Sequence, residues 1–329
     1  MKIEVERSDK KRVLIIDALN MFLRSYTIIP SMNAQGLPNG GTVGFMKSLQ
    51  KLCRDFRPHE VVICWDGHGG SEKKRLMNKN YKEGRAPVRF NRRMIRLDPK
   101  EEEINKAYQH IRLMEYLNEM PVIQTILDYV EADDVIAYLV QHEKYKDWNK
   151  LIISSDRDFF QLVSDKTSLY RPIQKTMVDK NHLLDKFGIH PNNFALARSV
   201  AGDQSDNLKG VGRVGLGTLK KRFDFLAKEK VYTVDDLVQH CESVQKPLQC
   251  HRRIAENRSV VEKNYEIMQL YRPNISYMGK KTINYNVVNF EPEFNKLSIT
   301  KLLFSDGQGS MNLDALYRCF RAISETNKK

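Results

Sequence analysis

No apolar run in this chain approaches the roughly 18 residues that a membrane-spanning helix needs. The N-terminal stretch MKIEVERSDKKRVLIIDALN is charged before a very short apolar run, a pattern that fits neither a signal peptide nor an anchor. Cysteine is sparse and unpatterned: Cys53, Cys64, Cys241, Cys250 and Cys319 form no CxxC pair. Such an odd, scattered set, without a secretion signal, argues for reduced thiols in the cytoplasm and against a disulfide framework. Cys241, Cys250 and His251 lack a fourth partner at zinc spacing. No internal repeat or low-complexity tract interrupts the chain. Acid is in deficit, 41 Asp+Glu against 54 Lys+Arg, which leaves a formal charge of +13. That excess favours polyanionic partners, nucleic acid before anionic membrane.

What remains is a globular chain of 329 residues, 41% hydrophobic and 29% charged, long enough for one large domain or two. Val13–Ile16 is an apolar run of strand length that meets Asp17, and Val61–Trp65 is a second that meets Asp66. Pro121–Ile126 reads as another strand, and Leu151–Ile153 leads through two serines to Asp156 and Asp158. Between these runs lie helical patterns: Met46, Leu49, Cys53 and Phe56 in one, Val135, Ile136, Leu139 and Val140 in the other. Unbroken apolar strands alternating with helices predict an α/β fold whose mostly parallel sheet is covered on both faces. Ligands of such sheets sit beyond the carboxyl ends of the strands, where Asp17, Asp66 and Asp156 all stand.

Each acidic motif has an ordinary reading of its own. The aspartates of SSDRD suit a helix N-cap, VEADD suits the positive end of a helix, and GDQSD suits a capped turn. Their joint occurrence is harder to explain. Together they offer nine carboxylates: Asp17, Asp66, Glu131, Asp133, Asp134, Asp156, Asp158, Asp203 and Asp206. Two bare carboxylates about 4 Å apart repel by about 4 kcal/mol at an effective dielectric of about 20, so convergence calls for divalent cations. Oxygen ligands without Cys or His select Mg²⁺, with Mn²⁺ as a substitute, and two such ions can promote phosphodiester cleavage.

The ordered set IIDALN, CWDG, NYKEGR, VEADD, SSDRDFFQL and GDQSDNLKGVG resembles the structure-specific 5′-nuclease (flap endonuclease) family. It is most similar to bacteriophage 5′-exonucleases, phage RNase H and the 5′-nuclease domain of bacterial DNA polymerase I, over roughly the first two-thirds of the chain. The resemblance implies a PIN-like core (1–185), a basic helical arch (70–115), and a region with a helix–turn–helix element that grips duplex (186–329). It implies hydrolysis near 5′ ends of flaps, nicked or gapped duplexes and RNA primers, with two Mg²⁺ held by the nine acids. The implied partners are branched or 5′-ended DNA and RNA–DNA hybrid, with a single-strand-binding protein or sliding clamp as recruiter of a monomeric enzyme. A bacterial host cytoplasm is the implied setting if the chain is phage-encoded.

Between Gly70 and Arg96 stand ten bases against Glu72 and Glu83, with Tyr81 and Phe90 among them as candidate stacking residues. By the resemblance, Lys82, assisted by Arg75 or Arg85, stabilises charge on the scissile phosphate, while Tyr81, Lys79 and Arg89 hold the strand. Gly210, Gly212 and Gly215, with Arg213, Lys220 and Lys221, make the expected duplex grip, with K⁺ in the glycine turn as a further family-implied ion. Arg213 stands where the family commonly has glycine, and Gly217 where it commonly has lysine. Tyr265, Tyr271 and Phe304 are expected in the core. Two other readings share part of the pattern. A PIN-type ribonuclease needs neither the glycine turn nor the long basic segment, and a silent DNA-binding relative would lose some of the nine acids.

Overall fold

The computed structural model describes residues 10–85, 88–93, 95–308 and 312–326, so most of the charged N-terminal stretch lies outside the described residues. Six strands form the central sheet: β1 (Arg12–Asp17), β2 (Glu60–Trp65), β3 (Ile123–Ile126), β4 (Asn149–Ile153), β5 (Thr167–Arg171) and β6 (Thr176–Val178). Their order is β3-β2-β1-β4-β5-β6. The first five run parallel, and β6 returns antiparallel along one edge. The mostly parallel α/β architecture is the one the apolar runs predict. The short strand β5 and the edge strand β6 carry no such run and are not legible from it.

Side-chain alternation along these strands feeds two cores. Leu14, Ile16, Val61, Ile63, Leu151 and Ile153 enter one. Val13, Ile15, Val62, Cys64, Ile152 and Leu169 enter the other. A strand buried on both faces has no polar side to show, hence the unbroken runs.

Helices cover both faces. In chain order they are α1 (Ala18–Ile28), α2 (Gly40–Phe56), α3 (Glu72–Met77), α4 (Pro99–Asn118), α5 (Ala132–Val140), α6 (Lys180–Phe187), α7 (Phe194–Ala201) and α8 (Leu216–Arg222). There follow α9 (Val234–Ser243), α10 (Gln249–Glu256), α11 (Arg258–Met268), α12 (Tyr277–Val288), α13 (Lys296–Ser305) and α14 (Leu313–Thr326). No described helix is long and apolar enough to cross a membrane. Leu316, Phe320 and Ile323 of α14 pack into the same core as α1 and α2, so the chain's last helix closes back on its first. Phe194 and Val261 share a core with Val13 and Ile152. The expected boundary at 185/186 falls inside α6, and side chains from either side of it pack together.

Three expectations meet a different arrangement among the described residues. The 70–115 segment is not one helical arch: α3 has six residues, and α4 is a core helix that buries Leu113, Tyr116 and Leu117. A capping box between Asp98 and Glu101, with Pro99 in the first turn, starts α4. The stretch before α4 is pinned by buried Glu102, which accepts from the Phe90 backbone N–H at 2.7 Å and pairs with Arg92 at 2.7 Å and Arg89 at 3.4 Å. Second, α7 and α8 are joined through a hairpin, β7 (Gly202–Asp203) with β8 (Leu208–Lys209), rather than the three- or four-residue turn of a helix–turn–helix. Third, Tyr271 and Phe304 are exposed, because α13 turns Ile299 and Leu303 inward and Phe304 outward.

Candidate active site

Asp66, Asp17 and Asp156 stand at the carboxyl ends of β2, β1 and β4 respectively, three adjacent strands, and this adjacency creates the pocket. Asp17 caps α1, accepting from the Asn20 N–H at 3.2 Å, and its second oxygen accepts from the Ser154 hydroxyl at 2.7 Å. The same hydroxyl accepts from the Asp156 N–H at 3.0 Å and so locks the ends of β1 and β4 together. Asp156 in turn accepts from the Asp158 N–H at 2.8 Å, opening the short 3-10 turn Asp158–Leu162. Capping thus accounts for one aspartate of SSDRD, and Asp158 is the surplus one.

Asp66 caps α5 from across the sheet, accepting from the Ala132 N–H at 2.9 Å. This brings Glu131 and Asp133 to the pocket. Glu131 is buried and receives the ammoniums of Lys74 and Lys82, each at 2.6 Å. Burial opposes its ionisation, but the two lysines prevail and hold the carboxyl down at about 2. Asp134, expected to share the Glu131 face, instead accepts from the Asn274 backbone N–H at 2.7 Å, at the margin of the pocket.

Asp158, Asp203 and Asp206 each direct an oxygen to a common region, all within 4.8 Å of one another. The Arg198 guanidinium, on α7, reaches Asp158 at 2.9 Å and also bonds Asp203. Arg85 bonds Asp206 and, through Nε, the Ser205 carbonyl at 3.0 Å. Burial, with repulsion from Asp156, raises the Asp158 carboxyl to about 7. Burial, with repulsion from Asp66 and Asp156, raises Asp17 to about 7 against the lowering bond from Ser154. Asp133 and Asp206 are pushed up chiefly by burial, with Asp156 again adding repulsion. All nine predicted acids belong to this electrostatically linked set, with Asp134 at its edge, coupled to Glu131 and Lys74.

Four cationic side chains, Lys74, Lys82, Arg85 and Arg198, reach this set by direct ion pairs. The donors are oxygen alone, buried or half-buried and under-neutralised, which suits hard divalent cations.

The expected strand-holding residues fare unevenly. Tyr81 cannot stack on a base here: it is 2% exposed, its ring beneath the Lys82 and Lys74 ammoniums at 5.0 and 5.7 Å. Phe90 is likewise buried. Arg89 serves Glu102. Lys220 is engaged by the carbonyls of Asp185 and Lys186 at 2.7 and 3.0 Å, at the end of α6. Arg75, Lys79, Arg213 and Lys221 are exposed. Arg213 has φ 60°, the left-handed backbone that makes glycine common at that position. Gly210 approaches the Ala201 backbone so closely that a Cβ would lie 2.3 Å from its carbonyl carbon, whereas Gly212 and Gly215 are open to solvent. The Gly212 carbonyl, in the turn where K⁺ was expected, accepts from Arg253 at 3.1 Å.

Sequence reasoning missed Lys74, Ser154 and Arg198. Arg198 had a signal: it is the one charge in the otherwise apolar helix FALARSVA, and a buried arginine needs a partner. Replacing Arg198 with Gln is expected to destabilise the metal-free protein by about 3 kcal/mol, because Asp158 and Asp203 lose their shared countercharge. Urea unfolding in chelator measures this, and the loss should shrink when Mg²⁺ is added. A variant as stable as the parent in chelator would mean the pairing contributes nothing.

Residues 12–188 match the family model described as the 5′-3′ exonuclease N-terminal resolvase-like domain. The chain is 26% identical to the 5′-3′ exonuclease of Buchnera aphidicola subsp. Schizaphis graminum over 300 residues, 89% of this chain and 94% of that protein. It is 28% identical to the flap endonuclease Xni of a Shewanella species over 262 residues, 79% of this chain and 90% of that one. Among solved structures, a bacteriophage T5 flap endonuclease, in a complex with DNA and metal ions, superposes with a TM-score of 0.64 at 14% identity, covering 97% of this chain and 100% of that one. That last likeness speaks to the fold. Strand-end aspartates, the carboxylate pocket and a family match spanning the sheet and its helices agree: this chain belongs to the 5′-3′ exonuclease family of resolvase-like N-terminal domains.

Proposed function

We propose that this protein is a divalent-metal-dependent, structure-specific 5′-nuclease that hydrolyses phosphodiester bonds near the 5′ ends of branched or gapped DNA and of RNA primers. The carrying observation is the set of buried and half-buried carboxylates that, among the described residues, is met by four direct cationic partners. Asp158, Asp203 and Asp206 would hold one Mg²⁺, and Asp17, Asp66, Asp133 and Asp156 a second. Bound there, the two ions would supply Lewis-acid activation of water and neutralisation of the departing oxygen. The protein's own groups do the rest. Lys82 has φ 57° and donates its N–H to the Asp206 carbonyl at 3.0 Å, which sets its ammonium at the pocket's edge on Glu131. From there it can exchange Glu131 for a substrate phosphate, while Arg85 steadies Asp206. Nothing in the pocket suggests base-edge readout, so selection is by strand geometry, and phosphate contacts make binding steeply salt-dependent.

A 5′-flap substrate labelled at each end, with and without Mg²⁺, tests the reading, alongside an RNA-tipped version. Flap-length products identify endonucleolytic cleavage, and mononucleotides from the 5′ terminus identify exonucleolytic action. An intact substrate at every divalent ion concentration would end it. Lys82→Ala is expected to lower the single-turnover rate by about 10²- to 10³-fold with substrate affinity little changed. An unaltered rate would remove Lys82 from the chemistry.

A further inference from the structure

The residues following Asp66 and preceding Glu131 form two interlocked loops at the mouth of the pocket. Three hydrogen bonds lace them: Gly67 N–H to the Val130 carbonyl at 3.0 Å, Tyr129 N–H to the His68 carbonyl at 2.7 Å, and Ala132 N–H to Asp66 at 2.9 Å. The fit leaves no room for side chains at the crossing. A Cβ on Gly67 would lie 1.7 Å from the Leu127 carbonyl oxygen. Gly69, at φ +68°, passes so near Tyr129 that a Cβ would lie 2.8 Å from the ring.

This lacing holds Tyr129 out toward solvent. The residue is 53% exposed, and its backbone has φ 62°, a costly conformation for a bulky aromatic. The exposed ring of His68 meets it edge-on, centroids 6.3 Å apart at 78°. Folding normally buries a tyrosine or leaves it mobile, whereas this one is exposed and rigidly braced. It stands two residues from Glu131, and His68 stands two from Asp66, so the pair flanks the pocket's acids. The immediate surroundings are acidic: Asp128 is exposed beside Tyr129, and the Glu72 carboxylate lies near Gly69. A phosphate would be repelled there, but the neutral face of a base would not.

We propose that Tyr129, braced edge-on by His68, is a stacking platform for one nucleobase of the strand whose phosphate lies over the carboxylates. This rests on reading the pocket as a nuclease site. Every base presents a π face, so the platform fixes strand position without selecting sequence. It also fills the role for which Tyr81 is too deeply buried.

The test uses flap substrates carrying a single abasic nucleotide at each of several positions on either side of the cleaved bond, with affinity and single-turnover rate measured separately. For the parent protein, one position should stand out, its abasic version binding about 5- to 100-fold more weakly than the intact strand. Tyr129→Leu should bind intact and abasic strands at that position alike, and Tyr129→Phe should restore the difference. If Tyr129→Leu does not fold, by circular dichroism and melting, Tyr129→Gly supplies a ringless variant suited to φ 62°. A parent that cleaves flaps but is indifferent to base removal at every position overturns the platform alone. So does a ringless variant that keeps the parent's base dependence. A parent that neither binds nor cleaves branched strands overturns the nuclease reading together with it.

Discussion

Replacing Asp156 with asparagine is expected to lower single-turnover cleavage by about 10²- to 10³-fold while making the metal-free protein more stable. The two effects have one origin. Asp156 is the shared repulsive neighbour of Asp17, Asp133, Asp158 and Asp206. Neutralising it removes a charge that the pocket tolerates only for the sake of bound cations, and each pKa unit relieved on a neighbour corresponds to about 1.4 kcal/mol. The local fold keeps its bonds, since an asparagine carbonyl caps the Asp158 N–H as well as a carboxylate does. Cleavage rate and urea unfolding in chelator together decide the matter. Loss of activity with loss of stability would mark Asp156 as a structural residue.

The second large effect concerns pH. Asp17 and Asp158 have carboxyls raised to about 7, from the ordinary 3.8, by burial and by neighbouring carboxylates. The folded chain thus retains protons that the unfolded chain has released, and stability from these groups is full below about pH 4 and lost as pH rises through about 7. Glu131 acts in the opposite sense: burial is outweighed by Lys74 and Lys82, which lower it to about 2 from 4.5. Its contribution is present above about pH 4.5 and lost as pH falls through about 2. In chelator the protein should therefore be most stable near pH 4 to 5 and lose a few kcal/mol by pH 8. Saturating Mg²⁺ should restore about 3 kcal/mol at pH 8 when the ion is at about a hundred times its dissociation constant, and far less at pH 5, where the carboxylates hold protons. Unfolding scans from pH 4 to 8, with and without Mg²⁺, measure both. Stability that climbs steadily to pH 8 in chelator would show that the acids are not crowded.

The strand-end aspartates were legible because a doubly buried parallel strand writes itself as an unbroken apolar run, and the residue that ends the run is necessarily at the sheet's carboxyl edge. The acidic motifs were legible by type and order. Their countercharges were not. Lys74 was one base among ten on the segment, and only the tertiary fold sets it on Glu131 in preference to Arg75. Tyr81 read as a stacking residue because aromatics among bases commonly are. The structure packs it with Leu208, Ile267 and Met268, contacts too distant in sequence for any local pattern to announce. The basic segment was expected as an arch from the family resemblance, and Glu102 ties part of it down instead.

The sequence by itself determined the α/β class, the approximate places of four parallel strands and the identity of the acids, because burial period and residue chemistry are local properties. Only the tertiary structure decided which acids share a pocket, which cations answer them, and which aromatics are buried or exposed. Those depend on strand order and on side chains meeting across 40 or more residues, as Glu131 does with Lys74 and Arg198 with Asp158. Electrostatic energy falls with distance in space, and distance in space is what a linear sequence does not record.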